Sequence, residues 1–388
     1  KRQRTSYLMQ ALSEAYEVDW LFIGYEKERE LILQNDRRFR NLYFIELKDT
    51  FLVQPGYSGI FLSPRQRKIK TDFQTACHVF FDSVKHIPYQ FLFAKAMYPL
   101  VNLPVPDSMK VVLDADDVYF EVRKTRILKE KNPWLKLKFF LLYLNGYRFV
   151  ERLIKKMDAT LVIKPSDKRF AGLENSGMVP NLPFGFFMQE AGRIITPHQN
   201  HHPIRFGFIG KMSYHPNHAG LNAFIRDIWN PMQENGFSAT LVVAGSGKVP
   251  PYLQETLNSA KNIKTLGFVE HIRDFWNDID VLLSPVNEGG GTNIKIAEAL
   301  MYGKRSIAHP FSTRGYEAFV QKNMVYVADR KEEWIQLCQE LAIHNHYAPE
   351  EMMKMASETY NVDAWKKNIV EFLQKRFPDN KNLSRSGN

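Results

Sequence analysis

Apolar and polar positions along this 388-residue chain follow two periods in turn. Short apolar runs at residues 18–23, 42–47, 76–81, 111–114 and 159–163 read as strands, as do those at 205–209, 241–245, 281–283 and 306–308. Helical patterns separate them. The first covers residues 1–12, where Tyr7, Leu8 and Leu12 share a side. A long one covers 129–156, where Trp134, Phe139, Phe140, Leu141, Tyr143 and Leu144 interleave with lysines. Strands alternating with helices predict an α/β fold, a parallel sheet with helices on both faces. The pattern runs through both halves of the chain, although the halves do not align as repeats. The length predicts two domains, each with its own core.

The most informative stretch is 280–310, DVLLSPVNEGGGTNIKIAEALMYGKRSIAHP. Val281, Leu282 and Leu283 make a buried strand that ends at Pro285. Gly289, Gly290 and Gly291 form a turn where no Cβ keeps the backbone from a ligand. Thr292 reads as the N-cap of a helix whose apolar face is Ile294, Ala297, Leu300 and Met301. Gly303 ends that helix. A glycine turn feeding a helix N-terminus presents free N–H groups and the positive end of the helix dipole, which suits phosphate. Lys295 and Glu298 stand one helical turn apart. A cation for phosphate and a carboxylate for ribose hydroxyls make a nucleotide-diphosphate grip. The plainer alternative is a surface i,i+3 ion pair.

Composition narrows the partners. Hydrophobic residues are 44% and charged residues 24%, the proportions of a soluble globular protein. The net charge of +10 suits nucleotide diphosphates, an anionic membrane surface or nucleic acid. No zinc-finger spacing, basic-zipper heptad or RNP-like run is present, which argues against nucleic acid. Cys77 and Cys338 cannot build a disulfide framework, and a reducing cytoplasm fits them. No signal peptide or transmembrane stretch is visible, and the chain starts at Lys1 rather than Met. The 129–156 helix reads first as a domain helix with its apolar face packed inward. Peripheral contact with the inner face of a membrane is the added reading.

The segment GGGTNIKIAEAL followed by MYGKRSIAHP resembles the donor site of retaining glycosyltransferases of the GT-B fold, the group 1 or family-4 type. RFGFIGKMSYHPNHAGLNAFI at 205–225 resembles the opening of the same domain, and LVVAGSGK and IKTLGFVEHIRDFWNDIDVLLSP fall between them in the family's order. The resemblance is strong over 203–320 and weaker upstream. It implies two Rossmann-like doubly wound domains facing a cleft. The boundaries it implies are an acceptor-side domain at 1–185, a linker at 186–202 and a donor domain at 203–360. A C-terminal helix at 361–376 then crosses back to the first domain, and a tail follows at 377–388. In the family a strand and a glycine loop precede the first helix, so a first N-terminal strand absent from this sequence is expected.

The resemblance also implies roles. Gly210 and Lys211 end the first strand of the donor domain, where a cation faces the donor pyrophosphate. The family often has a second basic residue soon after, where this chain has Pro216 and Asn217, and Lys295 is expected to compensate. His215 is expected in a loop. Glu288, Gly289, Gly290, Gly291, Thr292, Asn293 and Glu298 line the donor. Val269 lies in the loop that meets the base, and Gly315 lies near the sugar. The family's paired glutamates are seven residues apart, and Gly290 occupies the first position here. That departure leaves the ribose role of Glu298 intact and the sugar contact open, with Glu288 two residues away. Asp116 or Asp117, after the strand at 111–114, takes the acceptor-facing place. Asp114-Ala115-Asp116 also matches the DXD metal motif of the other glycosyltransferase fold, a reading the donor segment does not support.

The expected activity is metal-independent transfer of a sugar, hexosyltransferase-type, from a nucleotide-diphosphate sugar to an acceptor hydroxyl, with retention. No cofactor is expected beyond that donor. The acceptor is expected to be a saccharide or lipid-linked, in polysaccharide or glycolipid synthesis. A nucleotide-sugar epimerase and a catalytically silent sugar-nucleotide-binding subunit are the alternatives.

Overall fold

The computed structural model describes residues 2–25, 39–48, 63–95, 97–100, 102–115, 127, 130, 132–164, 174–183, 201–289, 292–344 and 349–378. The chain divides into two compact units. Unit 1 is Lys1–Pro180 with Val362–Asn388, and unit 2 is Asn181–Asn361. The expected linker falls almost wholly outside the described residues, as does the expected tail apart from its first two residues.

Unit 1 opens with α1 (Arg2–Ala15), β1 (Asp19–Gly24) and β2 (Asn41–Glu46). β1 and β2 pair in parallel, from Asp19 opposite Asn41 to Gly24 opposite Glu46. Next comes α2 (Pro64–Val84). The strand expected at 76–81 lies inside this helix. Ser63 and Gln66 form a capping box and Pro64 starts the first turn, so the helix is set well upstream of the apolar run. Its buried residues, Phe73, Cys77, Phe81 and Val84, fall at helical intervals. β3 (Leu92–Ala94), α3 (Met97–Leu100), β4 (Val111–Ala115), α4 (Pro133–Lys155), β5 (Ala159–Val162) and β6 (Ser176–Met178) complete the run. β3 to β6 form a second, four-stranded parallel sheet in sequence order.

A buried ionic cluster binds unit 1 together. Arg4 of α1 holds Asp114 of β4 through Nε at 3.0 Å and Nη2 at 2.6 Å. Lys95 Nζ stands 2.8 Å from the same carboxylate. Arg4 Nη1 also donates to the carbonyls of Val179 and Pro180, each at 3.1 Å. The C-terminal helix (Val362–Arg376) packs on α1, and Trp365 Nε1 donates to the Pro180 carbonyl at 2.8 Å. That helix buries Trp365, Ile369 and Leu373, while Val370 and Phe372 are half-buried. Asp114 is therefore engaged with two cations, and the DXD reading lacks its first free carboxylate. Asp116 and Asp117 lie outside the described residues.

α4 departs from its expected packing. Asn132 caps it, accepting from the amides of Trp134 and Leu135. Only its later turns face inward, where Tyr143, Tyr147 and Ile154 join the core beside β4. Its first turns leave Trp134 79% exposed and Leu141 57% exposed, among exposed Lys136 and Lys138.

Unit 2 is one continuous sheet of β7 (Ile204–Ile209), β8 (Ala239–Ala244), β9 (Ile263–Gly267), β10 (Val281–Ser284), β11 (Arg305–Ala308) and β12 (Val325–Val327). All pairings are parallel, and the order is β12-β11-β10-β7-β8-β9. This is the doubly wound order, with the switch point between β7 and β10. β10 is buried at every position because helices cover both faces, which explains its unbroken apolar run. α5 (His215–Phe224) follows β7 and runs on through a π-helical turn (Ile225–Trp229) into α6 (Asn230–Glu234). α7 (Pro251–Ser259) follows β8, α8 (Ile272–Asn277) follows β9, and α9 (Ile294–Met301) follows β10. The core gathers Phe206, Phe208, Phe224, Trp229 and Leu283.

Candidate functional site

The residues marked by sequence in unit 2 gather at the carboxyl ends of β7, β8, β9 and β10, on either side of the switch point. The strand ends are drawn close. Gly210 N donates to Ala244 O at 3.1 Å, and Gly245 N donates to Gly267 O at 2.7 Å. A Cβ on Gly245 would stand 1.9 Å from the Gly210 carbonyl oxygen, so only glycine fits there.

Lys295 lies in the first turn of α9 and is half-buried. Its Nζ donates to Asn217 Oδ1 at 3.1 Å and sits 4.4 Å from the centre of the Phe208 ring. Asn217 Nδ2 in turn donates to Lys211 O at 3.1 Å. Asn217 thus ties the lysine after β10 to the backbone after β7. Loss of water around the ammonium lowers the Lys295 pKa to about 7, while Glu298 pulls it the other way. Glu298 is buried one turn further along. The Lys211 side chain is exposed on the rim.

The turn ahead of α9 touches α5. Gly289 has φ +124°, a conformation that side chains disfavour, and the Tyr214 hydroxyl stands 2.9 Å from where its Cβ would be. Glu288 Oε1 pairs with His215 Nδ1 at 2.8 Å. His215, expected in a loop, is the first residue of α5, because Pro216 starts the helix beside it. The His215 and His218 rings meet edge-on at 5.0 Å, and His218 Nδ1 bonds the Tyr252 hydroxyl. Burial and then His215 lower the His218 pKa.

The N-cap of α9 is Asn293, one residue later than expected. Its side chain makes no capping bond, because Asn293 Nδ2 donates instead to Ser312 Oγ at 2.8 Å. Ser312 Oγ donates to Val286 O at 2.7 Å, and the Tyr316 hydroxyl donates to Asn293 O at 2.8 Å. The loop after β11 therefore braces the turn after β10. Thr292 Oγ1 accepts from Asn181 Nδ2 at 3.3 Å, and a Cβ on Gly315 would meet Thr292 Cγ2 at 3.4 Å. Val269 is half-buried on the same rim, two residues past β9. Gly290 and Gly291 lie outside the described residues.

Sequence reasoning missed Asn217, Tyr214 and the His215 pairing. The one local signal was a polar pair, Asn217 and His218, right after the helix-starting Pro216, on a helix whose later buried positions are Gly220, Leu221 and Phe224. Among the described residues no group of three or more His, Cys, Asp or Glu side chains is placed to hold a metal ion.

Residues 203–343 match the family profile described as Glycosyl transferases group 1. The matched stretch lies wholly within unit 2. No curated protein sequence matches the chain. Solved structures similar to the chain include a glycosyltransferase from Rickettsia africae ESF-5, with TM-score 0.64 and 9% identity over 96% of this chain and 95% of that one. HepE from Anabaena, in complex with UDP and glucose, has TM-score 0.58 and 14% identity over 95% of each chain. WaaG, a glycosyltransferase involved in lipopolysaccharide biosynthesis, has TM-score 0.53 and 13% identity over 91% of this chain and 98% of that one. At these identities the likeness shows the fold, the α/β GT-B class with parallel sheets. Within the matched stretch Gly289, Lys295 and Glu298 sit at the switch-point rim where doubly wound folds bind ligands.

Proposed function

We propose that the chain transfers a sugar from a nucleotide-diphosphate sugar to an acceptor hydroxyl, with retention and without a metal. The observation that carries this reading is Lys295, fixed by Asn217 at the switch point beside the Gly289 turn, with Glu298 buried one turn behind it. The hardest part of the reaction is the departure of the diphosphate. Lys295, the start of α9 and Lys211 are suited to that developing negative charge. Glu298 is suited to the ribose hydroxyls. Glu288, held by His215, is the nearest carboxylate to the place the family's first glutamate occupies, and it takes the sugar side. The UDP and glucose bound to HepE support a uridine donor.

The acceptor is a saccharide or lipid-linked, and the exposed start of α4 supports contact with a membrane surface. Trp134, Leu137 and Leu141 stand out among lysines there, a pattern that seats at an anionic interface. No described helix is long and apolar enough to cross a membrane.

A thermal-shift panel of UDP, GDP, dTDP and their sugars tests the donor reading. A ligand at 100 times its Kd stabilises the fold by about 2.7 kcal/mol. A selective shift that disappears in Lys295→Ala supports it; no shift with any nucleotide sinks it. Flotation with phosphatidylglycerol vesicles and with neutral vesicles tests the membrane contact. Binding to the anionic vesicles alone, lost in Trp134→Asp, is the expected result. Equal recovery of both variants would end that reading.

A further inference from the structure

The first turn of α5 carries two imidazoles in contrasting surroundings. His215 starts the helix with its side chain 70% exposed, and His218, one turn on, is buried. Their rings meet edge-on with centroids 5.0 Å apart. Two imidazolium ions that close repel each other, so the pair holds one proton more readily than two. The contacts of each ring decide where that proton belongs. Among the described residues, the titratable groups that face the two rings are Glu288, from the turn after β10, and Tyr252, from α7. α7 is itself tied to α5, because Thr256 Oγ1 donates to Asn222 Oδ1 at 2.8 Å.

His215 Nδ1 stands 2.8 Å from Glu288 Oε1. A carboxylate only accepts, so this nitrogen carries a hydrogen. The helix dipole opposes an imidazolium at a helix start, and the Glu288 charge offsets that. His218 has the opposite surroundings. Burial lowers its pKa, His215 lowers it further, and Glu288 opposes them only in part. Its Nδ1 bonds the Tyr252 hydroxyl, and the two rings lie 5.6 Å apart. Loss of water raises the Tyr252 pKa, so that hydroxyl keeps its proton. A neutral imidazole has one bare nitrogen, and a phenol O–H that faces it donates to it. With Tyr252 donating to Nδ1, the ring hydrogen of His218 sits on Nε2.

We propose that His218 and Tyr252 are positioning residues for the sugar side of the donor site. Tyr252 occupies the bare nitrogen of His218 and keeps that ring neutral. The single proton of the pair then stays on His215, and the charged ring fixes the Glu288 carboxylate at the glycine turn. The inference rests on the reading of Glu288 as the sugar-side carboxylate. Three contacts in a row, Tyr252 to His218, His218 to His215 and His215 to Glu288, join the helix after β8 to the turn after β10. Without the Tyr252 hydroxyl, His218 competes for the proton and the hold on Glu288 weakens. The sugar is then recognised less well, while Lys295 and its hold on the diphosphate are untouched.

The test titrates the imidazoles of the full chain by NMR with isotope-labelled histidine, over about pH 5 to 8, where histidines change charge. In the parent His215 is expected to charge first, with His218 neutral beside it. Tyr252→Phe keeps the ring and removes the hydroxyl. It should raise the His218 midpoint by about 0.5–1 in pH and lower that of His215. His215→Asn should raise the His218 midpoint too. Binding gives the second readout. The preference for UDP-glucose over UDP should fall about threefold in Tyr252→Phe at neutral pH, with UDP affinity unchanged. Gln at position 218 cannot take the proton, so adding His218→Gln to Tyr252→Phe should restore the preference. Unchanged His218 midpoints in Tyr252→Phe and His215→Asn overturn the proposal, as does a parent in which His218 charges before His215. Equal weakening of UDP and UDP-glucose in Tyr252→Phe, not repaired by His218→Gln, makes Tyr252 merely structural and overturns it as well. If neither UDP nor UDP-glucose binds, the donor reading falls alone and the titrations still decide this proposal.

Discussion

The two units arrange their parallel strands differently: unit 2 has one six-stranded sheet, and the described strands of unit 1 form a pair and a sheet of four. Unit 2 closes its sheet through the centre: β7 bonds both β8 and β10, and a single large core lies beneath. Unit 1 is held around its centre instead. Arg4, Asp114 and Lys95 clamp α1 to the carboxyl end of β4, and Tyr89 and Asp19 tie the base. A sheet closed by backbone pairing depends on glycines that let its strand ends approach. A sheet closed by buried charge depends on a few ions that cannot be removed singly. The comparison predicts where each unit breaks.

The largest effect is expected at Asp114. Asp114→Ala leaves buried Arg4 and half-buried Lys95 without their carboxylate, at a cost of about 3–5 kcal/mol. Urea unfolding followed by exchange of unit 1 amides measures it, and UDP binding should be unchanged. A loss below 1 kcal/mol would show that the clamp is not what holds unit 1. Lys295→Ala comes next. Losing one charge-assisted contact to phosphate should weaken nucleotide binding by about 1.5–3 kcal/mol, read by titration calorimetry. Gly245→Ala should cost unit 2 about 1–3 kcal/mol through the clash with Gly210 O, while unit 1 exchange stays as it was. His215→Ala is the smallest, at about 0–1 kcal/mol of stability, because His215 is exposed. Its expected readout is a change in sugar preference rather than in nucleotide affinity.

The pH dependence sharpens the contrast, because Lys295 sits in unit 2. Its pKa falls from an ordinary 10.5 to about 7 on folding. Between those values the unfolded chain binds more protons, so this group makes the protein more stable as pH rises from about 7 towards 10.5. The penalty is full below that window and absent above it. Lys295→Met should remove this slope and be more stable than the parent at pH 6. Phosphate at the site favours the charged form, so nucleotide binding at pH 8 should take up protons. Calorimetry in two buffers of different ionisation enthalpy reads the uptake, and an equal result in Lys295→Met would refute the assignment.

Much of this was legible in the sequence, for physical reasons that differ by region. β10, its glycine turn and α9 were readable because a fully buried strand is an unbroken apolar run and α9 keeps its period. The run at 76–81 misled because Val79, Phe80 and Phe81 are adjacent, while their helix is set by Ser63 and Gln66 far upstream. β3, β6 and β12 have three residues each, too few to show any period. Asn217 and Lys295 lie 78 positions apart, and only the sheet order brings them together. Asp114 matched a DXD motif that the donor segment did not support, and its place at a strand end did not show what it binds. Its partner Arg4 is 110 positions away, so the sequence around Asp114 could not reveal that it is occupied.

Pro180 has a consequence beyond the clamp. The chain leaves unit 1 there and comes back at Val362, and Trp365 bonds the Pro180 carbonyl directly. Exit and re-entry are thus neighbours, so the donor half is spliced into its host like a cassette with both ends at one seam. A gene cut at codons 181 and 361 would release that cassette whole, with its own core. The flanking ends could be rejoined by a short linker or offered to a donor domain of another nucleotide preference.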